Sequence, residues 1–271
     1  MTHKLAVSGS TILSNPEKFE ELFLEKIDSI EIGEFPDEIA VKHFLDLCKE
    51  KKQSFGIHSP LYLNESKYDL LKKVQYKPEY AWKQLELEAK KMSALGADYI
   101  LVHFPYFKEQ ISGNANKLIE EGLIRLEQIQ KKYSISIICE PKLGFNRSTA
   151  GINYLHTFPI EIWDKYNIKI CIDIGDYLIA TENEILNYLS KFKKHIKIVH
   201  LHNVDYIKDK HIWIPVHPSQ ETNGVNYKIK KIIDFLLQCK DITFVFEHTP
   251  HKIPSERFVK EGYQWVKDLI S

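Results

Sequence analysis

Short apolar runs alternate along the chain with longer stretches of helical period. Eight of these runs predict β-strands, and several are continuously apolar, which is typical of strands that are covered on both faces. The predicted strands are Leu5–Ser8, Ser29–Gly33, Ser54–His58, Tyr99–His103, Ile135–Glu140, Ile168–Asp173, Ile196–His202 and Ile242–Glu247.

The stretches between these strands predict amphipathic helices. Apolar residues recur at i, i+3, i+4 and i+7 from Ile229 to Leu236, which is the pattern of one helix face. Pro78, directly before Glu79, suits the first turn of another helix. Eightfold alternation of strand and helix over about 250 residues predicts an α/β protein with a (β/α)8 TIM barrel. We expect a single domain over residues 1–271.

The charge balance bears on the class of partner. The chain has 37 basic and 37 acidic residues and a formal net charge of zero, so the whole molecule is no obvious polyanion binder. Only Arg125, Arg147 and Arg257 could read phosphates or bases with two parallel hydrogen bonds. Nucleic acid is therefore a less favoured partner, although it is not excluded, since a local groove can be basic in a neutral protein.

Cysteine usage and hydropathy indicate a compartment. The four cysteines form no CxxC pair and the chain has no secretory-type start, which favours a reduced cytoplasm. No apolar stretch approaches the roughly 20 residues that a membrane span needs. The sequence does not define the oligomeric state and leaves a homo-oligomer open.

Six of the apolar runs end on a side chain that binds metals. Histidines and carboxylates are costly at the end of a buried strand unless they are paired, and a divalent ion is a natural partner for both. In a strand, residues i and i+2 share a face, so His200 and His202 would both point into the barrel. The six residues are His58, His103, Glu140, Asp173, His200 and Glu247.

A metal site follows from this pattern. Glu140, Asp173, Glu247 and one of the two seventh-strand histidines can converge on one ion. Three carboxylates with one imidazole suit Mn, Mg, Co, Fe or Zn, and ligand type alone does not choose among them. His58 and His103 come from adjacent strands and could serve either a second ion or the substrate.

Other polar residues near the strand ends are weaker candidates. Lys142 could bind a phosphate, although a solvated loop is the favoured interpretation. Asp176 could be a ligand or an ordinary helix N-cap. Asp209 and His211 form a further carboxylate–imidazole pair that could hold another ion or orient substrate hydroxyls. For Glu31, an exposed or barrel-bottom carboxylate is favoured over a substrate contact.

These residues resemble the xylose-isomerase-like TIM barrels, which include sugar isomerases and epimerases and endonuclease IV-type enzymes. The resemblance spans most of the chain. Asp176 stands where the family usually has His, and VHPSQETNG (Val216–Gly224) replaces a glycine-rich piece. The similar segments are HSPLYLN (His58–Asn64), with an H-x-P entry; CIDIGD (Cys171–Asp176), similar to CIDxxH; VHLHNVDYIKDKHIWIP (Val199–Pro215), similar to HLHDN followed by D-x-H; and FEHTP (Phe246–Pro250), with the eighth-strand Glu.

The resemblance implies roles for individual residues. The family pattern H-x-x-[DE] overlays best on His200, which we therefore choose as the metal ligand. His202 to Asp205 also satisfies the pattern, so His202 stays an alternative ligand. The shared metal site would be Glu140, Asp173, His200 and Glu247. In an endonuclease-type protein, His58 and His103 would join Glu140 in a first site, and Asp176, Asp209 and His211 would form a third.

Two enzymatic functions are compatible with this site. The first is a metal-dependent isomerase or epimerase of a small sugar or sugar phosphate, in which the metal stabilises an enediolate and a Glu pair moves the proton. The alternative is an endonuclease IV-like phosphodiesterase with more than one ion. A barrel that only binds, and a dehydratase, are further hypotheses. We expect Glu140, Glu247, His58 and His103 to be catalytic, and His202, Lys142, Asp176, Asp209 and His211 to bind substrate.

Overall fold

Eight parallel strands close into a barrel, in which each strand pairs with the next one along the chain and the last pairs with the first. The computed structural model describes residues 2–181, 184–207, 210–250 and 255–270. The predicted (β/α)8 TIM barrel is confirmed, and each predicted strand agrees with an observed one to within one residue at each end. The barrel strands are β1 (Lys4–Ser8), β2 (Ser29–Ile32), β3 (Ser54–His58), β4 (Tyr99–His103), β5 (Ser136–Glu140), β6 (Lys169–Asp173), β7 (Ile196–Leu201) and β10 (Thr243–Phe246).

Helices surround the barrel. The second begins at Pro78, as predicted, because a proline lacks only an N–H that the first turn leaves unpaired. In the described part of the chain, no helix combines the length and the apolar character needed to cross a lipid bilayer. The helices are α1 (Glu38–Lys51), α2 (Pro78–Ala94), α3 (Ala115–Tyr133), α4 (Ala150–Thr157), α5 (Ile160–Asp164), α6 (Ile174–Thr181), α7 (Ile185–Phe192), α8 (Lys230–Leu236) and α9 (Glu256–Ile270).

Two apolar layers explain why the strands read as continuous hydrophobic runs. The larger layer lies between the strands and the helices. The smaller layer fills the barrel and closes its interior below the carboxyl ends of the strands. Polar side chains at those ends therefore stand on a packed apolar floor. The inner layer consists of Ala6, Tyr99, Leu101, Ile138, Cys171, Ile198 and Val245.

The loop that follows β3 is held by two buried carboxylates. Asp69 Oδ1 accepts the backbone N–H groups of residues 74, 75 and 76 at 2.7, 2.7 and 2.9 Å. Glu88 on α2 accepts the Ser59 hydroxyl at 2.7 Å and the Leu61 N–H at 2.9 Å. Since each lost buried acceptor costs about 1–3 kcal/mol, these carboxylates fix a loop that has no regular structure of its own.

The loop that follows β7 contains regular structure, although its sequence, Asn203–Asn226, has the polar and charged character of an irregular stretch. Its first part is an antiparallel hairpin of β8 (Asn203–Ile207) and β9 (Lys210–Ile214). Val204 pairs with Trp213 in this hairpin, and both residue types favour a pleated strand. The hairpin carries Trp213 over the mouth of the barrel.

Candidate functional site

Four donor side chains meet at the carboxyl ends of the strands. Each offers one atom, and these atoms lie within 4.8 Å of one another. The β6–β7 register places Asp173 opposite His200, and Glu247 follows β10 directly, where its N–H bonds to the Leu201 carbonyl at 3.0 Å. The fold therefore brings together residues that are far apart in the sequence. The four are Glu140, Asp173, His200 and Glu247.

His200 lies at the centre of the donor set and is fully buried. Its Nδ1 is 2.8 Å from Glu247 Oε2 and 3.1 Å from Glu140 Oε1. Its Nε2 is 2.8 Å from Glu31 Oε1, on the opposite edge of the ring. Burial opposes protonation of this imidazole, but the acidic groups around it outweigh burial and raise its pKa well above the ordinary value.

His202 points into the barrel as predicted but does not belong to this donor set. Its Nε2 is 2.9 Å from Asp173 Oδ1, and its ring packs on Trp213 at a centroid distance of 4.4 Å. A Cβ at Gly175 would come within 2.3 Å of the His202 ring, so a residue without a side chain is needed there. The geometry therefore favours His200 over His202 as the ligand.

The donor set fits a divalent ion. Among the described residues, Glu140 Oε2 and Glu247 Oε2 are buried oxygens that accept no well-formed hydrogen bond. Three carboxylates around one imidazole repel one another in a buried site unless a cation compensates them. Oxygen and nitrogen donors of this kind are the ligands of Mn, Mg, Co or Zn.

The carboxylates of the set are ionised at neutral pH. Burial alone would raise the pKa of Glu247, but the adjacent His200 outweighs it and lowers that pKa to about 2. For Asp173, burial is likewise outweighed, by Lys142 and His202, and its pKa is lowered. The pKa of Glu140 also lies well below its ordinary value, since Lys142 and His200 outweigh burial. All three side chains are therefore ready to bind a cation.

His58 and His103 form a second donor group with Glu140. Their Nε2 atoms lie 3.4 and 3.1 Å from Glu140 Oε2. Burial lowers the pKa of His103 to about 3, which keeps this imidazole neutral above mildly acidic pH. Tyr68 stacks on the His103 ring at a centroid distance of 4.9 Å and an interplanar angle of 11°. The sequence did not single out Tyr68, whose aromatic face fixes that ring.

Lys142 and Asp176 lie against the donor set. The Lys142 side chain is only 16% exposed, so the favoured interpretation of a solvated loop is wrong. Its Nζ contacts the carboxylates of Asp173 and Asp176. Asp176 lies in the first turn of α6, but the residue that caps this turn is Asp173, whose Oδ1 accepts the Asp176 N–H at 2.9 Å. Asp209 lies outside the described residues.

Glu31 is a site residue that sequence reasoning underrated. Its expected position at the exposed surface or at the barrel bottom is wrong, because it is fully buried beside His200. Its Oε2 accepts the Tyr99 hydroxyl at 2.8 Å. The Glu31 charge lies against the Nε2 edge of the His200 ring without a well-aligned hydrogen bond, and Nδ1, on the other edge, faces the donor set. The available signal was a single charge inside the apolar strand SIEI.

Replacement of Glu31 by Gln is expected to weaken divalent-ion binding by roughly 10–100-fold, the usual cost of losing a carboxylate that orients a ligand histidine. Calorimetric titration of the metal-free protein with Mn²⁺ measures the change in Kd. Glu88→Gln is the matched control, since Glu88 is also a buried carboxylate but bonds to Ser59 and Leu61. Equal affinities of Glu31→Gln and the wild type would exclude the orienting role.

A cavity of about 650 Å³ opens above the donor set, within the usual size range of small-molecule sites. His211 and Trp213 of the hairpin form part of its wall, and Glu247 faces it from the donor set. The other predicted site residues that line it are His58, His103, Lys142 and Asp176.

The chain belongs to the xylose isomerase-like TIM barrel family, whose model matches residues 21–269. This confirms the resemblance seen in the sequence. No curated protein matches the sequence.

Solved structures share the fold at low identity. A D-tagatose 3-epimerase-like protein is 18% identical with a TM-score of 0.70, over 98% of each chain. D-allulose 3-epimerase from Methylomonas sp., in complex with D-allulose, is 14% identical with a TM-score of 0.69, over 98% of this chain and 97% of that one. An AP endonuclease, family 2, from Brucella melitensis is 12% identical with a TM-score of 0.64, over 99% of each chain.

Proposed function

We propose that the protein is a divalent-metal-dependent isomerase or epimerase of a small sugar or sugar phosphate. The observation that carries this proposal is the position of Glu247. Its carboxylate belongs to the donor set and also faces the cavity, so one side chain can touch both an ion and a bound substrate. Carboxylates in such positions act as general bases on C–H groups next to a carbonyl.

Proton transfer is assigned to the two glutamates. Glu247 is ionised and takes the proton from the substrate carbon at the cavity floor. Glu140, whose donor atom lies within 4.8 Å of that of Glu247, is also ionised in the resting site, so it acts as the acid of an epimerisation only after it has taken up a proton from solvent. In an isomerisation Glu247 itself returns its proton to the neighbouring carbon. The ion, when bound by the four donors, supplies positive charge that stabilises the negative charge developing on the substrate oxygens.

Substrate hydroxyl and carbonyl oxygens would be bound by the remaining polar residues of the cavity. Neutral His103 can donate a hydrogen bond without adding charge, and His58 lies beside it at a ring-centroid distance of 4.8 Å. His211 and Asp176 contribute from the wall, and His202 orients Asp173. A role for Asp209, a cytoplasmic location and a homo-oligomer stay predictions from the sequence.

Two of the similar structures are named for sugar epimerases, one of them with D-allulose bound, which supports a carbohydrate substrate. An endonuclease IV-like phosphodiesterase is the second candidate. The second donor group of His58, His103 and Glu140 favours it, since it offers a place for another ion. The zero net charge of the chain and the scarcity of arginine favour the sugar enzyme.

Incubation of the Mn²⁺-loaded protein with ketohexoses, D-tagatose and D-allulose first, in deuterated water tests the proposal. We expect deuterium to enter the carbon next to the carbonyl, with formation of the epimer or the aldose, both followed by NMR. Cleavage of an abasic DNA duplex, with no exchange in any sugar of an extended ketose and aldose panel, would replace this proposal by the phosphodiesterase.

A further inference from the structure

The ammonium group of Lys142 lies among the carboxylates of the candidate site. Lys142 Nζ is 3.0 Å from Asp176 Oδ2 and 3.3 Å from Glu140 Oε1, and it also contacts Asp173 Oδ2. It therefore bridges three carboxylates, which come from the ends of β5 and β6 and from the first turn of α6. Two of the three, Glu140 and Asp173, also belong to the four-donor set.

The backbone around Lys142 holds the side chain in this position. The N–H of Leu143 donates to Asp176 Oδ2 at 3.2 Å, which ties the loop after β5 to α6. A Cβ at Gly144 would come within 2.4 Å of the Lys108 carbonyl oxygen, so the loop also lies tightly against the segment that follows β4. The ammonium is thus built into the site by contacts on both sides of it.

The arrangement is that of a cation shared between carboxylates. Two buried carboxylates in one pocket are stable when a positive charge lies between them. In two-metal sites that charge is a second ion roughly 3.5–4 Å from the first. Here the ammonium lies next to the donor set and shares Glu140 and Asp173 with it, as bridging carboxylates are shared by two ions.

We propose that the Lys142 ammonium takes the place of a divalent ion between Asp173 and Asp176, so that the barrel binds one ion fewer than its acidic residues could hold. This inference rests on the metal site of the proposed function. It also assigns Lys142 a function that a solvated or phosphate-binding lysine would not have. Removal of the ammonium leaves both carboxylates without their shared positive charge, and a divalent ion can then bind there.

The test compares the number of ions per chain in Lys142→Met, which keeps the side-chain length and loses the charge, with that in the wild type. Both proteins are stripped with chelator, titrated with Mn²⁺ to saturation and analysed by equilibrium dialysis with elemental analysis. We expect the variant to bind one more ion per chain. Lys142→Gln, a polar and neutral replacement, serves if the Met variant does not fold.

Lys67→Met is the matched control, since Lys67 also lines the cavity but pairs with Glu34 at 2.8 Å. Its ion count should equal that of the wild type. Equal counts in the wild type and in a folded Lys142 variant would overturn the inference and leave the four-donor site intact. A wild-type protein and Lys142 variants that all bind no ion would overturn the proposed metal site as well.

Discussion

The Glu247→Gln variant is expected to lose about three orders of magnitude in kcat, within the range that a general base contributes. Gln keeps an oxygen for the ion but cannot accept the proton. The loss should therefore appear in turnover and in deuterium exchange, while the Kd for Mn²⁺ changes much less. The measurement uses whichever sugar exchanges its C–H proton in the wild type.

Glu256→Gln is the control, because the Glu256 side chain is 90% exposed on α9. Its kcat and Mn²⁺ affinity should equal those of the wild type. Turnover of Glu247→Gln within twofold of the wild type would remove this residue from proton transfer. A loss of Mn²⁺ binding that accounts for the whole fall in activity would limit Glu247 to a ligand.

Removal of the ion is expected to abolish turnover and to lower Tm by roughly 5–10 °C. An ion at about 100 times its Kd stabilises a protein by about 2.7 kcal/mol, and each kcal/mol shifts Tm by roughly 2–4 °C in a protein near this size. The physical reason is that Glu140, Asp173 and Glu247 are ionised and lie close together. Differential scanning calorimetry with Mn²⁺ and with excess chelator measures the shift.

The Asp173→Ala variant provides the matched control for chelation. It lacks one of the four donors altogether, so its Tm should respond little to chelator. Addition of Mn²⁺ should restore both Tm and turnover of the stripped wild type. If chelator left the Tm and the turnover of the wild type unchanged, the protein would not depend on a divalent ion.

Much of the fold could be predicted from the sequence because the signals were local and repeated. Apolar runs such as YILVH and ITFVFE are short and flanked by polar residues, and they alternate with stretches whose apolar residues recur at helical spacing. The carboxyl ends of parallel strands meet at one end of a barrel, so residues at the ends of such runs had to lie near one another. The hairpin after β7 was missed, since its strand signal lies within a stretch rich in charge.

The environment of the site was harder to predict because it depends on contacts between distant loops. Glu31 reads as one charge in a short strand, and only the closed barrel shows that it lies 2.8 Å from His200. Lys142 reads as a loop lysine, and only the packing of α6 against the loop after β5 shows its contact with Asp176. The choice between His200 and His202 likewise depends on which imidazole faces the other donors.

The most direct test of the central claim is the anomalous diffraction of crystals grown with Mn²⁺. A manganese peak is expected among the four donors, bonded at about 2.0–2.2 Å to Glu140, Asp173, Glu247 and the Nδ1 of His200. Crystals saturated with Mn²⁺ that show no anomalous peak among these side chains, or that bind manganese elsewhere in the barrel, would contradict the proposed metal site.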